Sequence, residues 1–217
     1  MATCRTAGAR RYRGVQMTVD TVLTFFALLA AACLVFVVSA AVLAVVAKVR
    51  GGLPDALVPL RDGFTEIALP GAFAVSVTAT LGSLYLSAVA KFVPCELCWF
   101  QRACMYPLTV VLLFAWLSKR VRWWTFVLPA VGICISTYHY LLERFPDSVA
   151  KVCPKDGPDC SVTLVWKFHF LSIPGMAWAG FATILVLLGL AAAGQRRTAR
   201  TLSPVGAPDD VPQELTT

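Results

Sequence analysis

Five apolar runs, each long enough to cross a lipid bilayer, limit what this chain can fold into. Crossing about 30 Å of hydrocarbon takes roughly 20 helical residues, and the stretches 21–47, 71–90, 99–117, 123–142 and 174–193 meet that length. In a membrane every backbone N–H and C=O has to be satisfied within the protein, which leaves helices or a closed barrel. A barrel needs segments of about ten alternating residues, and the sequence has none. The expected fold class is therefore an all-α integral membrane protein. Composition agrees, because 58% hydrophobic against 14% charged residues and a mean hydropathy of +0.73 leave too little polar surface for a soluble single-domain enzyme. The run 21–47 carries no charge and far exceeds the about 7–15 residues of a signal-peptide core, so it reads as a retained span.

The net charge of +7 sits in short basic clusters between the runs, a pattern that speaks of membrane orientation rather than nucleic acid, since Lys and Arg collect on the cytoplasmic side. Lys119, Arg120 and Arg122 put the turn between the third and fourth runs inside, and Arg196, Arg197 and Arg200 put the C-terminal tail there. The 143–173 connection and the start of the third run then face the exterior, and 48–70, with Lys48, Arg50 and Arg61, is a cytoplasmic connection. Parity places the N-terminus outside. Arg5, Arg10, Arg11 and Arg13, in the N-terminal extension 1–20, oppose that placement by the same rule. A physiological start at Met17 would resolve the conflict. Residues 194–217, with Pro204, Gly206, Pro208 and Pro212, have the composition of a disordered cytoplasmic tail.

Chemistry concentrates in the cysteines. Cys95-Glu96-Leu97-Cys98 opens the third run, and a helix start stabilises thiolates through its unsatisfied N–H groups and the positive end of its dipole. On position alone Cys98 is the better stabilised. Arg102 follows one turn later, roughly 6 Å deeper on the same face, where a guanidinium in lipid needs a reason. Cys153 and Cys160 share the exterior connection, in Cys-Pro-Lys-Asp-Gly-Pro-Asp-Cys, and can close a small exposed disulfide of the exchangeable kind. Loop-bracing disulfides are the bland alternative, and a four-cysteine zinc site fits poorly because the second pair lacks a knuckle spacing. His139 lies within the fourth run near its exterior end, at about the depth of Arg102, so the two could flank a ligand carbonyl or His139 could simply bond another helix. Cys33, Cys104 and Cys134 fall within apolar runs and read as small hydrophobes.

The segment from Cys95 through Trp99-Phe100-Gln101-Arg102, a downstream exterior cysteine pair, and His139 with Pro146 ahead of Cys153 resemble the disulfide bond formation protein B family (DsbB, with its Gram-positive relative BdbC). The likeness covers about residues 70–193. It implies a four-helix catalytic bundle over 71–193, with the helix at 21–47 as an addition, in a bacterial cell (inner) membrane. It also implies a thiol:quinone oxidoreductase, which reoxidises an extracytoplasmic thioredoxin-like (DsbA-like) thiol oxidase and passes the electrons to ubiquinone or menaquinone. By the same resemblance Cys153 corresponds to the cysteine that engages the partner and Cys160 to its pairing cysteine. Cys95 corresponds to the cysteine that takes electrons from that pair, Cys98 to the one facing the quinone, and Arg102 and His139 to quinone-side residues.

Overall fold

The computed structural model describes residues 3–52, 57–145 and 171–202, with side chains from residue 19 to 200. Among these the chain is helical, with no strand, in the order α1 (Thr3–Val49), α2 (Val58–Ala88), α3 (Glu96–Ser118), a short 3-10 turn (Trp123–Phe126), α4 (Val127–Arg144) and α5 (Ile173–Leu202). Five helices are long and apolar enough to cross a membrane. The protein is a multi-pass, all-α membrane protein with an N-terminal span of its own.

Helices α2 to α5 form a bundle in which α2 packs on α3 and α5, and α4 on α3 and α5, while α1 lies against α5 from outside. The bundle interior is aliphatic: Leu108 and Leu112 of α3 and Phe181, Ile184 and Leu188 of α5 are fully buried. Small residues let the helices approach. A Cβ on Gly132 of α4 would lie 2.5 Å from the Phe181 ring, and one on Gly82 of α2 would lie 2.7 Å from the Phe26 ring of α1. Gly82 therefore fixes where α1 can rest on α2. Such small-residue contacts drive helix association in lipid, where apolar burial alone gives no preference for protein over lipid.

Three helices run well past what hydropathy predicts, the first being α1, which begins at Thr3 rather than at residue 21 and so takes in most of the expected 1–20 extension. Helix α2 starts at Val58, with a proline in its first positions, and so takes up much of the connection expected over 48–70. Its added turns carry apolar Phe64 and Ile67 ahead of buried Ala68 and Leu69, and near its start Arg61 and Asp62 pair at 2.7 Å. Helix α5 continues to Leu202, past the boundary at 193 expected for the tail. Gln195 explains this: its amide donates to the Lys119 carbonyl at 2.9 Å and its oxygen accepts from the Val121 N–H at 3.2 Å. Arg197 adds an ion pair with Asp62 at 3.8 Å. These contacts gather the 119–122 turn, the start of α2 and the end of α5 at one end of the bundle. The rest of the tail, from residue 203, lies outside the described residues.

Candidate functional site

At the opposite end, Cys95 caps α3 in an extended conformation (φ −71°, ψ 172°). Pro94 before it and Glu96 in the first turn favour a helix start at this point. Cys98 is one turn into the helix, and the two free thiols face each other with Sγ atoms 3.1 Å apart. Cys95 is buried, at 8% exposure.

His139 reaches the pair from α4. Its Nε2 lies 3.7 Å from Cys95 Sγ and its Nδ1 3.4 Å from the amide nitrogen of Gln101. An amide nitrogen only donates, so Nδ1 accepts, and Nε2 is left to donate toward Cys95. The Cys95 thiol is accordingly held well below the ordinary thiol range, first by the hydrogen bond with Cys98 and then by His139, against the opposing effect of burial. Position at the helix start favoured Cys98 as the anion; the side chains around the pair favour Cys95, with Cys98 donating to it. His139 itself is 2% exposed.

This arrangement has a measurable consequence. Thiolate is present above the titration midpoint and is lost as pH falls through it, so removing a donor to Cys95 raises the midpoint and lowers reactivity at neutral pH. His139→Phe is expected to move the midpoint of Cys95 alkylation, read by mass spectrometry on reduced protein, upward by about one to two pH units, the scale of one hydrogen bond to a charged group. An unmoved midpoint would remove His139 from this role.

Arg102 faces the other way. Its Nη2 donates to the Ser83 carbonyl at 3.2 Å and to Ser87 Oγ, both on α2, and its guanidinium stands 5.2 Å from the centre of the Trp99 ring. The cation is thus held by oxygens and a π face rather than by an acid. Beside it opens a cavity of about 330 Å³, walled largely by apolar side chains of α1, α2, α3 and α5, with Cys98, Gln101 and Arg102 at one side and Thr78, Ser83 and Tyr106 adding hydroxyl groups. Arg102 and His139, read from sequence as neighbours of one ligand, are separated in the structure: Arg102 lines the cavity, whereas His139 is not among its lining residues and stands behind Cys95. Cys153 and Cys160 lie outside the described residues.

Gln101 received no role from the sequence, yet it lines the cavity and orients His139. Its signal was available, since a polar amide beside an arginine within a span is expensive without a partner. Ser83 and Ser87, at one-turn spacing on α2, gave no sign, because only the tertiary fold brings them to Arg102. The Sγ atoms of Cys95 and Cys98 and a His139 ring nitrogen lie within 4.8 Å of one another, the spacing of three ligands to one thiophilic cation.

The model for the disulfide bond formation protein DsbB family matches residues 66–191, more than half of the chain. The chain belongs to the DsbB family. It is 40% identical over 128 residues to the "Probable disulfide formation protein C 1" of Bacillus anthracis, a match covering 58% of this chain and 92% of that protein. It is 39% identical over 127 residues to the "Disulfide bond formation protein C" of Bacillus subtilis, covering 57% and 91%. No solved structure matches it significantly. This DsbB-family protein is a membrane thiol oxidoreductase with a role in disulfide bond formation. Both matches leave fewer unaligned residues in the relative than the roughly 20 a further span needs, and the family match begins beyond α1.

Proposed function

We propose that this protein is a thiol:quinone oxidoreductase of a bacterial cell membrane, which reoxidises an extracytoplasmic thioredoxin-like (DsbA-like) thiol oxidase. The observation that carries the reading is the shared position of Cys98 and Arg102 on one apolar cavity. A cysteine pair that has oxidised a partner is reduced, and turnover requires an acceptor for two electrons. In a membrane, at the wall of a cavity within the 300–1,000 Å³ range of small-molecule sites, a lipid-soluble quinone meets that need. The donor set fits: Arg102 and Gln101 offer N–H groups to a ring oxygen, Cys98 is the thiol exposed to the ring, and the remaining wall suits a ring and the start of a tail.

The electron path runs in two exchanges. A dithiol of the partner reduces a Cys153–Cys160 disulfide and leaves oxidised; the Cys153 and Cys160 thiols then reduce a Cys95–Cys98 disulfide, each exchange passing two electrons and two protons. A bound quinone would supply the two-electron sink that reoxidises that pair. Within the chain, His139 and Cys98 hold negative charge on Cys95, and Arg102 places a fixed cation where negative charge develops, which stabilises that charge without reorganisation in a site sheltered from water. Both cysteine pairs are assigned to the extracytoplasmic side. This is supported by Lys119, Arg120, Arg122, Arg61 and Arg197 collecting at the far end of the bundle from Cys95.

The test is stoichiometry in vesicles holding the full chain, a reduced thioredoxin-like oxidase and ubiquinone or menaquinone. One hydroquinone should form per partner disulfide. Partner oxidation that proceeds without loss of quinone would reject the reading.

A further inference from the structure

Helix α1 lies outside the family match and outside the bundle, yet it is not a bystander at the cavity. Phe26, Ala30 and Cys33 of α1 face the same cavity as Cys98 and Arg102. Helix α4 contributes no lining residue, so the cavity is on the bundle's flank, between the small residues Ala79 and Gly82 of α2 and Ala177 and Gly180 of α5. Without α1 this space would be a groove facing lipid. The Phe26 ring lies against Gly82 with no room for a Cβ, and Ala27 and Ala30 share a buried cluster with Leu171, just before α5, and Ala179 of α5. The added helix is therefore seated on both rims of the groove at the level of the redox pair. Farther along, Phe36 still packs against the bundle, its ring centre 5.9 Å from that of Phe64 on α2, while Val35 at 67% and Val38 at 60% lie on the outward face of α1.

Building on the quinone reading above, we infer that α1 is the fourth wall of the quinone site, so that its Phe26–Cys33 face helps bind the ring and the first part of the tail and sets which quinones enter. The site is then a walled pocket reached past α1 rather than an open lateral groove. A helix held to the bundle by alanine and glycine contacts suits that task, because it seats closely and leaves volume for a ligand.

Two measurements on the full-length protein in vesicles test this. The first uses a photoreactive azido-ubiquinone, with cross-linked peptides mapped by mass spectrometry and competed with unlabelled ubiquinone. Competed adducts are expected on the segment from Leu23 to Cys33 as well as around Cys98 and Arg102. Competed adducts around Cys98 and Arg102 with none on α1 would overturn the wall while leaving the quinone reading intact, and no competed adducts near Cys98 would overturn the reading beneath it. The second substitutes Ala30→Phe to fill the cavity from α1. The KM for ubiquinone should rise about tenfold, a loss of about 1.4 kcal/mol, while the KM for the thiol partner stays the same. Val38→Phe, on the exposed face of α1, should alter neither. An unchanged quinone KM in a folded Ala30→Phe protein would overturn the inference.

Discussion

Cys98→Ser is expected to abolish turnover, lowering oxidation of the thioredoxin-like partner by on the order of a thousandfold or more, the scale on which loss of a covalent catalytic group is felt. Cys95 and Cys98 face each other at 3.1 Å, and no other described cysteine is placed to replace either. A serine hydroxyl at 98 fills the space but can neither close a disulfide with Cys95 nor give up electrons. The same loss is expected for Cys95→Ser, Cys153→Ser and Cys160→Ser. Cys134→Ser on the exposed face of α4 and Cys104→Ala in the bundle core should keep activity within about threefold, since cysteine in such places acts as a small hydrophobe. The measurement is the initial rate of partner oxidation at saturating quinone. Full activity in Cys98→Ser would overturn the mechanism.

Arg102→Met should raise the KM for quinone by about tenfold to a hundredfold, the value of one hydrogen bond from a charged donor. The thioether keeps much of the apolar bulk while removing the cation that Ser83 and Ser87 hold at the cavity. Partner KM should not move, because Arg102 is one turn below Cys98 and lines the cavity. Rates measured against quinone concentration at fixed partner, and then the reverse, separate the two effects. A fall in partner affinity with quinone affinity unchanged would show that Arg102 serves the other substrate.

Much of this was legible in the chain. Membrane spans announce themselves through length and apolarity because lipid permits few alternatives, and the five spans expected from hydropathy are the five helices observed. Cys95, Cys98 and Arg102 stood out for the same reason: polar and reactive groups at a span entrance are costly unless they serve something. The ends of α2 and α5 were harder to read. Arg61, Asp62, Gln195 and Arg197 look like connection and tail in a hydropathy scan, and only their contacts with one another and with the 119–122 turn continue the helices. The separation of His139 from Arg102 was hidden as well. Sequence depth puts the two at one level, but the azimuth of α4 in the bundle, set by Phe181 over Gly132, turns His139 toward Cys95 and Gln101 and away from the cavity. Nor could the sequence show that α1, unneeded for a four-helix core, would rest on Gly82 and complete a cavity.

On the proposed function, a membrane quinone keeps both cysteine pairs, in one compartment, oxidised. The most direct measurement traps the thiols of Cys95, Cys98, Cys153 and Cys160 by rapid alkylation in vesicles supplied with reduced partner, with and without quinone. With quinone, both pairs should be recovered mainly as disulfides. Without it, all four should accumulate as alkylated thiols and return to disulfides when quinone is restored. Pairs that stay oxidised whatever the quinone supply would mark them as static braces and contradict the account.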